Sequence, residues 1–335
     1  MKKAIFSTEI SILRSTMQRL LRRKAHSNIT KILRNTHQAD IALIMRSLNQ
    51  YDQKKIFSLC PTAVHKARLL EELDESLIGN VLENDSVKNI SKIFGYLDTN
   101  DQATIIGMFQ KRKQKEILKA IEHGDKEDVE EIMSYPDDSA GSIMTKETFT
   151  LNQNTTVKES IEKLQSFPEN YKIFYLYVLD NKEKLVGVVS LRTLVTSKNS
   201  KKLREVMIKD IQAATTSTDQ EEVAKKVAQY NYLALPIVNR QNRFLGIVTI
   251  DDVVDVIREE ASEDFLQMAG VGKDREILLK SPLENAKSRA PWILASLIGG
   301  ICAAAIISYF NSLLEEIIVL AAFIPVIIGI GGNVG

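Results

Sequence analysis

Residues 234–252 read Ala-Leu-Pro-Ile-Val-Asn-Arg-Gln-Asn-Arg-Phe-Leu-Gly-Ile-Val-Thr-Ile-Asp-Asp. Two apolar runs, Ala234–Val238 and Phe244–Thr249, flank the polar turn Asn239–Arg243, which is the pattern of a hairpin. Gln220–Tyr230 before it has helical periodicity, and a second helix is expected from Ile250. The same order stands earlier in the chain: helix Val157–Leu164, strand Phe174–Leu179, turn Asp180–Lys184, strand Leu185–Ser190 and a helix from Leu191. An α+β tandem repeat between Ser142 and Arg258 follows.

Toward the N-terminus, Ile29 to about Met133 reads as short helices with apolar residues three and four apart, such as Ile41, Ile44, Met45 and Leu48. Turns are expected at Asn49–Asp52, Asn84–Ser86 and Thr99–Asp101, giving a small α-solenoid or bundle suited to sensing or interaction. His26, His37, His65 and His123 lie in or near this region, but none pairs at zinc-site spacing. The first forty residues are basic, and Thr8, Glu9, Ser11 and Arg14 interrupt any secretory apolar core. They read as an amphipathic helix with a solvated basic face.

At the other end, Trp292 to Phe310 carries no charge and is long enough to cross a bilayer as a helix. A second apolar run starts at Ile317, passes Pro325 and reaches Gly-Gly-Asn-Val-Gly at the end of the sequence. Lys273, Arg275, Lys280, Lys287 and Arg289 precede the first run and no Lys or Arg follows it, which places the preceding residues in the cytoplasm.

The 335 residues have room for several domains. Lys+Arg 44 against Asp+Glu 43 leaves a net charge of +1, which offers no general case for a nucleic-acid partner. With 26% charged and 44% hydrophobic residues the chain is not disordered. Cys60 and Cys302 suggest no structural disulfide. No nucleophile–base pair, Gly-rich phosphate loop or closed metal site argues for an enzyme.

Acids concentrate just past the repeats: Asp251, Asp252, Asp255, Glu259, Glu260, Glu263 and Asp264, with Arg258 the one base among them. As a helix, Val254, Ile257, Ala261, Phe265 and Met268 form an expected buried stripe, and Asp252, Asp255, Glu259 and Glu263 a parallel acidic one. Like charges at this spacing oppose a helix by about 0.2–0.5 kcal/mol each. Two readings stand side by side: a solvated acidic face near a helix start, or carboxylates that hold a hard cation such as Mg²⁺ or Ca²⁺.

The repeat resembles the paired cystathionine-β-synthase (CBS) module. The resemblance rests on Gly-Ser-Ile-Met-Thr (141–145) and Gly-Val-Val-Ser-Leu-Arg-Thr (187–193) in copy one. In copy two it rests on Val206-Met207, Leu-Pro-Ile-Val (235–238) and Gly-Ile-Val-Thr-Ile-Asp-Asp (246–252). The strand glycines are read as places where a ligand approaches closely. The module implies an adenosine site; copy two keeps Thr249 and Asp252, whereas copy one has Thr193 in place of the acid. Arg192, Tyr232 and Thr249 are the implied ATP contacts.

The whole order is similar to the MgtE-type magnesium channel and transporter family. Tyr135–Thr145, Asp219–Ala224, Gly246–Asp255, Glu263–Asp264 and Phe323–Gly335 carry the match, the last as Pro-x-x-x-Gly-x-Gly-Gly-Asn. It implies a multidomain chain: an α-helical domain at 1–135, CBS copies at 136–202 and 203–258, an acidic connecting, plug-like helix at 259–288, and the start of an α-helical membrane domain at 289–335. The first span falls at about 292–310, and a second starts near 317 and is cut short. The resemblance further implies a homodimer in the plasma membrane with cytoplasmic N-terminal domains, in contact with lipid and not nucleic acid. That dimer would be a Mg²⁺-selective channel that regulatory Mg²⁺ closes. By the same resemblance, Asp252, Asp255, Glu260, Glu263 and Asp264 hold Mg²⁺, with Glu221, the backbone of Gly141 and Ala228, and Asp98 and Asp101 completing sites toward the helical domain. Asp98 and Asp101 fit a Leu-Asp-Pro-Asp-Asp pattern from which Thr99 and Gln102 depart, and Asn231 stands where relatives often carry an acid. Gly331, Gly332 and Asn333 are the implied ion path, with the main pore carboxylate expected in a later span. The alternative is a membrane-anchored CBS regulator that reads adenine nucleotides and transports nothing.

Overall fold

The computed structural model describes residues 2–121, 123–167, 173–268 and 282–310, together with 323, 326, 327 and 330. They divide into two compact units, Met1–Glu259 and Glu260–Gly335.

The first unit opens with helices α1 (Lys2–Arg22), α2 (His26–Asn35), α3 (Gln38–Arg46), α4 (Gln50–Ser58), α5 (Ala63–Leu70), α6 (Glu75–Leu82), α7 (Val87–Phe94), α8 (Thr99–Gly107), α9 (Lys111–Ala120) and α10 (His123–Ile132). Packing runs mostly between helices two apart, α1 on α3, α3 on α5, α5 on α7 and α7 on α9, with α4 on α6 and α8 on α10. That is how a solenoid buries one continuous core. A sequence device recurs in it. Gln53 Nε2 donates to the carbonyls of Met45 and Leu48, and Gln102 Nε2 to those of Phe94 and Leu97, so each buried carboxamide closes the turn before its own helix.

Asn49–Asp52 and Thr99–Asp101 are not turns. They are the first turns of α4 and α8, with Asn49 and Asp98 at the N-cap positions. Polar residues that favour turns also favour helix starts, and here the tertiary core continues each helix beyond them. Asn84–Ser86 does connect two helices, and Ser86 caps α7.

The repeat follows as β1 (Thr150–Asn152), α11 (Val157–Gln165), β2 (Tyr175–Leu179), β3 (Leu185–Ser190), α12 (Leu191–Thr196) and α13 (Leu203–Val206). The second copy is β4 (Ala214–Thr215), α14 (Gln220–Tyr230), β5 (Ala234–Val238), β6 (Phe244–Thr249) and α15 (Ile250–Met268). Each copy forms a three-stranded sheet, β1-β2-β3 and β4-β5-β6, with a parallel first pair and an antiparallel second. The hairpins bulge at the same point, Val178/Leu179 and Ile237/Val238. The parallel strands β1 and β4 are too short to have left a periodic signal.

The two sheets are interlocked. Thr145 pairs with Ile247 of β6, and Ile208 pairs with Val188 of β3, so the strand leading into each copy pairs with the hairpin of the other. The glycines serve this crossing. A Cβ at Gly246 would lie 2.5 Å from the Thr145 carbonyl oxygen, and one at Gly187 would lie 2.2 Å from Met207 Sδ.

In the second unit, α16 (Pro282–Tyr309) runs for 28 residues and contains Pro291. Ile293, Leu297, Ile298, Ile301 and Ile306 are all exposed along it. Among the described residues no helix is long and apolar enough to cross a membrane. The spanning role expected for 292–310 therefore rests on the sequence. Cys60 and Cys302 are both free, and burial pushes the Cys60 thiol up to about 12, which keeps it protonated and inert.

Candidate functional site

The last strand of the second copy, β6, runs directly into α15, and this junction sets the phase of the acidic helix. Val253 and Val256 turn into the core at 1% and 3% exposure. The expected buried stripe is overturned: Val254, Ile257 and Phe265 are 39%, 48% and 72% exposed and Ala261 lies open, while Met268's side chain is outside the described residues. The inward arc instead carries acid. Asp252, Glu259 and Glu260 are partly buried and Glu263 is only 5% exposed, whereas Asp255 and Asp264 face outward. Hydrophobic spacing alone could not assign the face, because a strand enters this helix and fixes its rotation.

Asp252 is the best-defined of these groups. Its carboxylate accepts from the Thr249 backbone N–H at 3.1 Å, from the Thr249 hydroxyl, and from Asn100 Nδ2 at 2.9 Å. Burial is the largest influence on it and, helped by the Asp251 charge, pushes its carboxyl up to about 6 against the opposing hydrogen bonds. Burial also raises Asp255, which sits 3.4 Å from Arg258.

The other expected ligands are dispersed. Glu221, in the first turn of α14, pairs with Lys225 at 2.8 Å. Ala228 lies on the exposed side of α14. Gly141 is buried, with its N–H on the Thr216 carbonyl, and a Cβ there would strike the Tyr135 ring at 2.5 Å. Asp98 and Asp101 flank the start of α8. Asn231 caps α14 in the left-handed conformation at φ 54°, a role that suits Asn better than an acid. Among the described residues no three acidic, histidine or cysteine side chains converge to hold a metal. The hard oxygen donors suit Mg²⁺ with retained water, in the one- or two-carboxylate manner that ion tolerates. Gly331, Gly332 and Asn333 lie outside the described residues.

Sequence reasoning passed over Asn100 and Glu147. Glu147 accepts from the Thr99 N–H at 3.3 Å, the Thr99 hydroxyl at 3.1 Å and the Thr145 hydroxyl. The neighbouring Lys146 bonds Glu131 at 2.6 Å, and its ammonium lies 3.6 Å from Asp128. None of these residues belongs to a periodic pattern, so only the fold brings them together.

At the junction of the repeats stands an aromatic group. Tyr230 stacks on Tyr232 at 5.5 Å, and Tyr177 on Phe244 at 5.0 Å, with Tyr175 edge-on to Tyr177 at 6.4 Å. Burial first, then Tyr230, Asp210 and Tyr175, raises the Tyr232 phenol. Arg192 is exposed at the start of α12, and Thr249 is committed to the acids that follow it. In copy one, Ser190 caps α12 and its hydroxyl meets Thr193 at 2.9 Å.

A helical solenoid followed by two interlocked CBS copies is the architecture of a regulatory assembly. Residues 36–138 match the MgtE intracellular N domain, and residues 140–199 and 203–259 match the CBS domain. The chain belongs to the MgtE family. It is 34% identical over 301 residues to the magnesium transporter MgtE of Bacillus subtilis, covering 86% of this chain and 66% of that protein. Against the Thermus thermophilus magnesium transporter MgtE it is 36% identical over 210 residues, 62% of this chain and 47% of the relative. The chain thus spans less than two thirds of either relative. A crystal structure of the cytosolic domain of the Mg²⁺ channel MgtE in complex with ATP superposes with a TM-score of 0.68 at 28% identity, covering 72% of this chain and 99% of that one.

Proposed function

We propose that this chain is part of a homodimeric, Mg²⁺-selective channel of the plasma membrane, and that its cytoplasmic domains bind Mg²⁺ and close the pore when the ion is plentiful. The observation that carries the reading is the inward-turned acid row of α15. Asp252, Glu259, Glu260 and Glu263 lie along one arc of the helix, Glu263 buried and the others partly so, where a cation would offset like charge and couple the position of the helix to ion supply. Glu260 and Glu263 are the proposed ligands there, with Asp252 at the head of the row, and Asp255 and Asp264, which face outward, are proposed to hold Mg²⁺ on the outer side of the helix. Glu221, the carbonyls of Gly141 and Ala228, and Asp98 and Asp101 are proposed to contribute toward the helical domain.

The membrane attachment is proposed at 292–310. That stretch is uncharged, α16 runs through it to Tyr309 with apolar side chains exposed along its length, and the Lys/Arg bias puts 1–291 in the cytoplasm. The outward apolar stripe of Val254, Ile257 and Phe265 suits contact with a second copy of the chain.

A nucleotide reading draws on the Tyr175, Tyr230 and Tyr232 rings, which offer a purine base a stacking surface, with Arg192 available to a phosphate. ATP is then a second ligand of the same module. The deciding experiment is limited trypsin digestion of the full chain in detergent with EDTA, millimolar Mg²⁺, or ATP without divalent ions. Protection of the acidic segment around Arg258 by Mg²⁺ is the expected result. Protection by ATP alone, with none from Mg²⁺, transfers the reading to a nucleotide sensor.

A further inference from the structure

We propose that the hollow between the hairpin turns of the two CBS copies is a binding site for a small, multiply charged oxyanion of the phosphate class, with Lys184 and Arg243 as its main contacts. The hollow has a volume of about 540 Å³. Asn181, Lys182, Glu183 and Lys184 of the β2–β3 turn line it, with Gln241 and Arg243 of the β5–β6 turn. Lys182, Lys184 and Arg243 are its cations and Glu183 its acid, so the wall is positive overall and favours a ligand with two or more negative charges. All of these residues are exposed, which leaves the hollow open to an ion from solvent.

The two turns are built alike. Asp180 Oδ1 accepts from the Lys182 and Lys184 N–H groups at 2.7 and 2.9 Å, and Asn239 Oδ1 accepts from those of Gln241 and Arg243, both at 2.9 Å. Glu183 and Asn242 share the left-handed conformation, each at φ 61°. The turns are also tied to each other: the Leu185 N–H donates to the Asn242 carbonyl and the Phe244 N–H to the Glu183 carbonyl, each at 3.1 Å. These bonds bracket Lys184 and Arg243, which face each other across the antiparallel bridge at the position that has no hydrogen bonds of its own. Residues so paired stand on one face with Cα atoms about 4.5 Å apart, and like charges directly opposite each other are destabilising. The nearby Asp180 carboxyl is lowered chiefly by the Lys184 N–H and further by the Lys184 and Lys182 charges, but its Oδ1 is committed to the backbone.

A phosphate-type oxyanion matches this wall. The Arg243 guanidinium can meet two of its oxygens at once, and Lys184 and Lys182 supply mobile positive charges. Asn181 Oδ1 accepts from Asn152 Nδ2 at 3.0 Å, which leaves its own Nδ2 to donate. An anion between Lys184 and Arg243 offsets their repulsion, so binding stabilises the joined turns. The hollow is separate from the surface proposed for a nucleotide. Tyr232 precedes β5 and Thr249 ends β6, so the length of the hairpin, roughly 16–20 Å, lies between them and the turn. Arg192 follows β3 at the corresponding end of copy one. The oxyanion site therefore rests on neither the Mg²⁺ reading nor the nucleotide reading.

The test is calorimetric titration of pyrophosphate into the full chain in an uncharged detergent, in divalent-free buffer at constant ionic strength, beside urea unfolding followed by circular dichroism. The expected result is saturable binding at one site per chain, and a urea midpoint that rises with pyrophosphate but not with sodium chloride of equal ionic strength. In the double variant Lys184→Gln, Arg243→Gln the affinity falls by about tenfold or more. Its midpoint without anion is no lower than that of the unmutated chain, because the turns use the N–H groups of these residues, which Gln retains. Gln241→Lys, which adds a cation to the wall away from the bridge, tightens binding severalfold. Arg192→Gln binds pyrophosphate as the unmutated chain does. Loss of binding in Arg192→Gln, with none in the double variant, overturns the site and moves the anion to the nucleotide surface. Equal stabilisation by sodium chloride overturns it as general screening. A chain that shows neither a saturable heat nor a rise in midpoint overturns it outright.

Discussion

Thr145 and Ile247 exchange backbone hydrogen bonds of 2.8 and 3.0 Å across the two CBS copies, so the strand that opens the first copy pairs along the hairpin of the second. Val188 and Ile208 do the same in the opposite sense, at 3.0 and 2.9 Å. Neither copy is complete without the other.

This interlock predicts unequal costs for two equivalent glycines. At Gly246 an added methyl meets the Thr145 carbonyl oxygen, which is backbone fixed by pairing. At Gly187 it meets the Met207 Sδ and Cγ, which a rotamer change can move, and the Met207 Cβ at 2.9 Å, which needs a small backbone shift. Gly246→Ala is expected to destabilise by about 2–3 kcal/mol and Gly187→Ala by about 1 kcal/mol, within the range for overpacking. Urea midpoints of the two variants give the order directly, and a larger loss at Gly187 would contradict the interlock geometry.

Tyr177 is 1% exposed and its hydroxyl has no hydrogen-bond partner among the described residues. Burial raises its phenol strongly, which keeps it neutral throughout the physiological range. Tyr177→Phe removes an unpaired buried polar atom while retaining the ring contact with Phe244, and is expected to stabilise by roughly 1 kcal/mol. A melting temperature that drops by several degrees instead would reveal a water bound to the hydroxyl.

Glu131 titrates below its ordinary value of 4.5, because hydrogen bonds from Lys146 and Tyr135 outweigh the burial that opposes its charge. A depressed carboxyl contributes stability that is fully present above its unfolded value and disappears as pH falls through its folded one. Glu131→Gln should lower the melting temperature by a few degrees at neutral pH, with the gap to the unmutated chain closing below pH about 4. A gap that is constant with pH would place the effect in packing and not in charge.

Ile257, at 48% exposure, lies on the outward stripe assigned above to a second copy. Ile257→Glu puts a charge in the middle of this apolar stripe, and should weaken the proposed dimer association by about tenfold or more. Light scattering of the detergent-solubilised chain over a dilution series measures this; an unchanged dimer fraction assigns the interface to another face.

The hairpins and helices of the repeat were legible in the sequence because β-branched and apolar runs bounded by Asn, Asp and Gly leave few local alternatives. The helix starts near Asn49 and Asp98 were legible as polar clusters but not as helices, since the same side chains that close a turn also cap a helix. The sequence by itself determined that two α+β copies follow a helical domain and precede an acidic helix and apolar runs. Only the tertiary structure decided which face of α15 turns inward. The exit from β6 fixes the helix phase, and burial of Val253 and Val256 outweighs the spacing of Val254, Ile257 and Phe265. Only the fold, likewise, brought Asn100 to Asp252 and Glu147 to Thr99, pairs separated by 152 and 48 residues. A contact at such range is fixed by the global packing that closes the loop between its ends, and no local pattern encodes it.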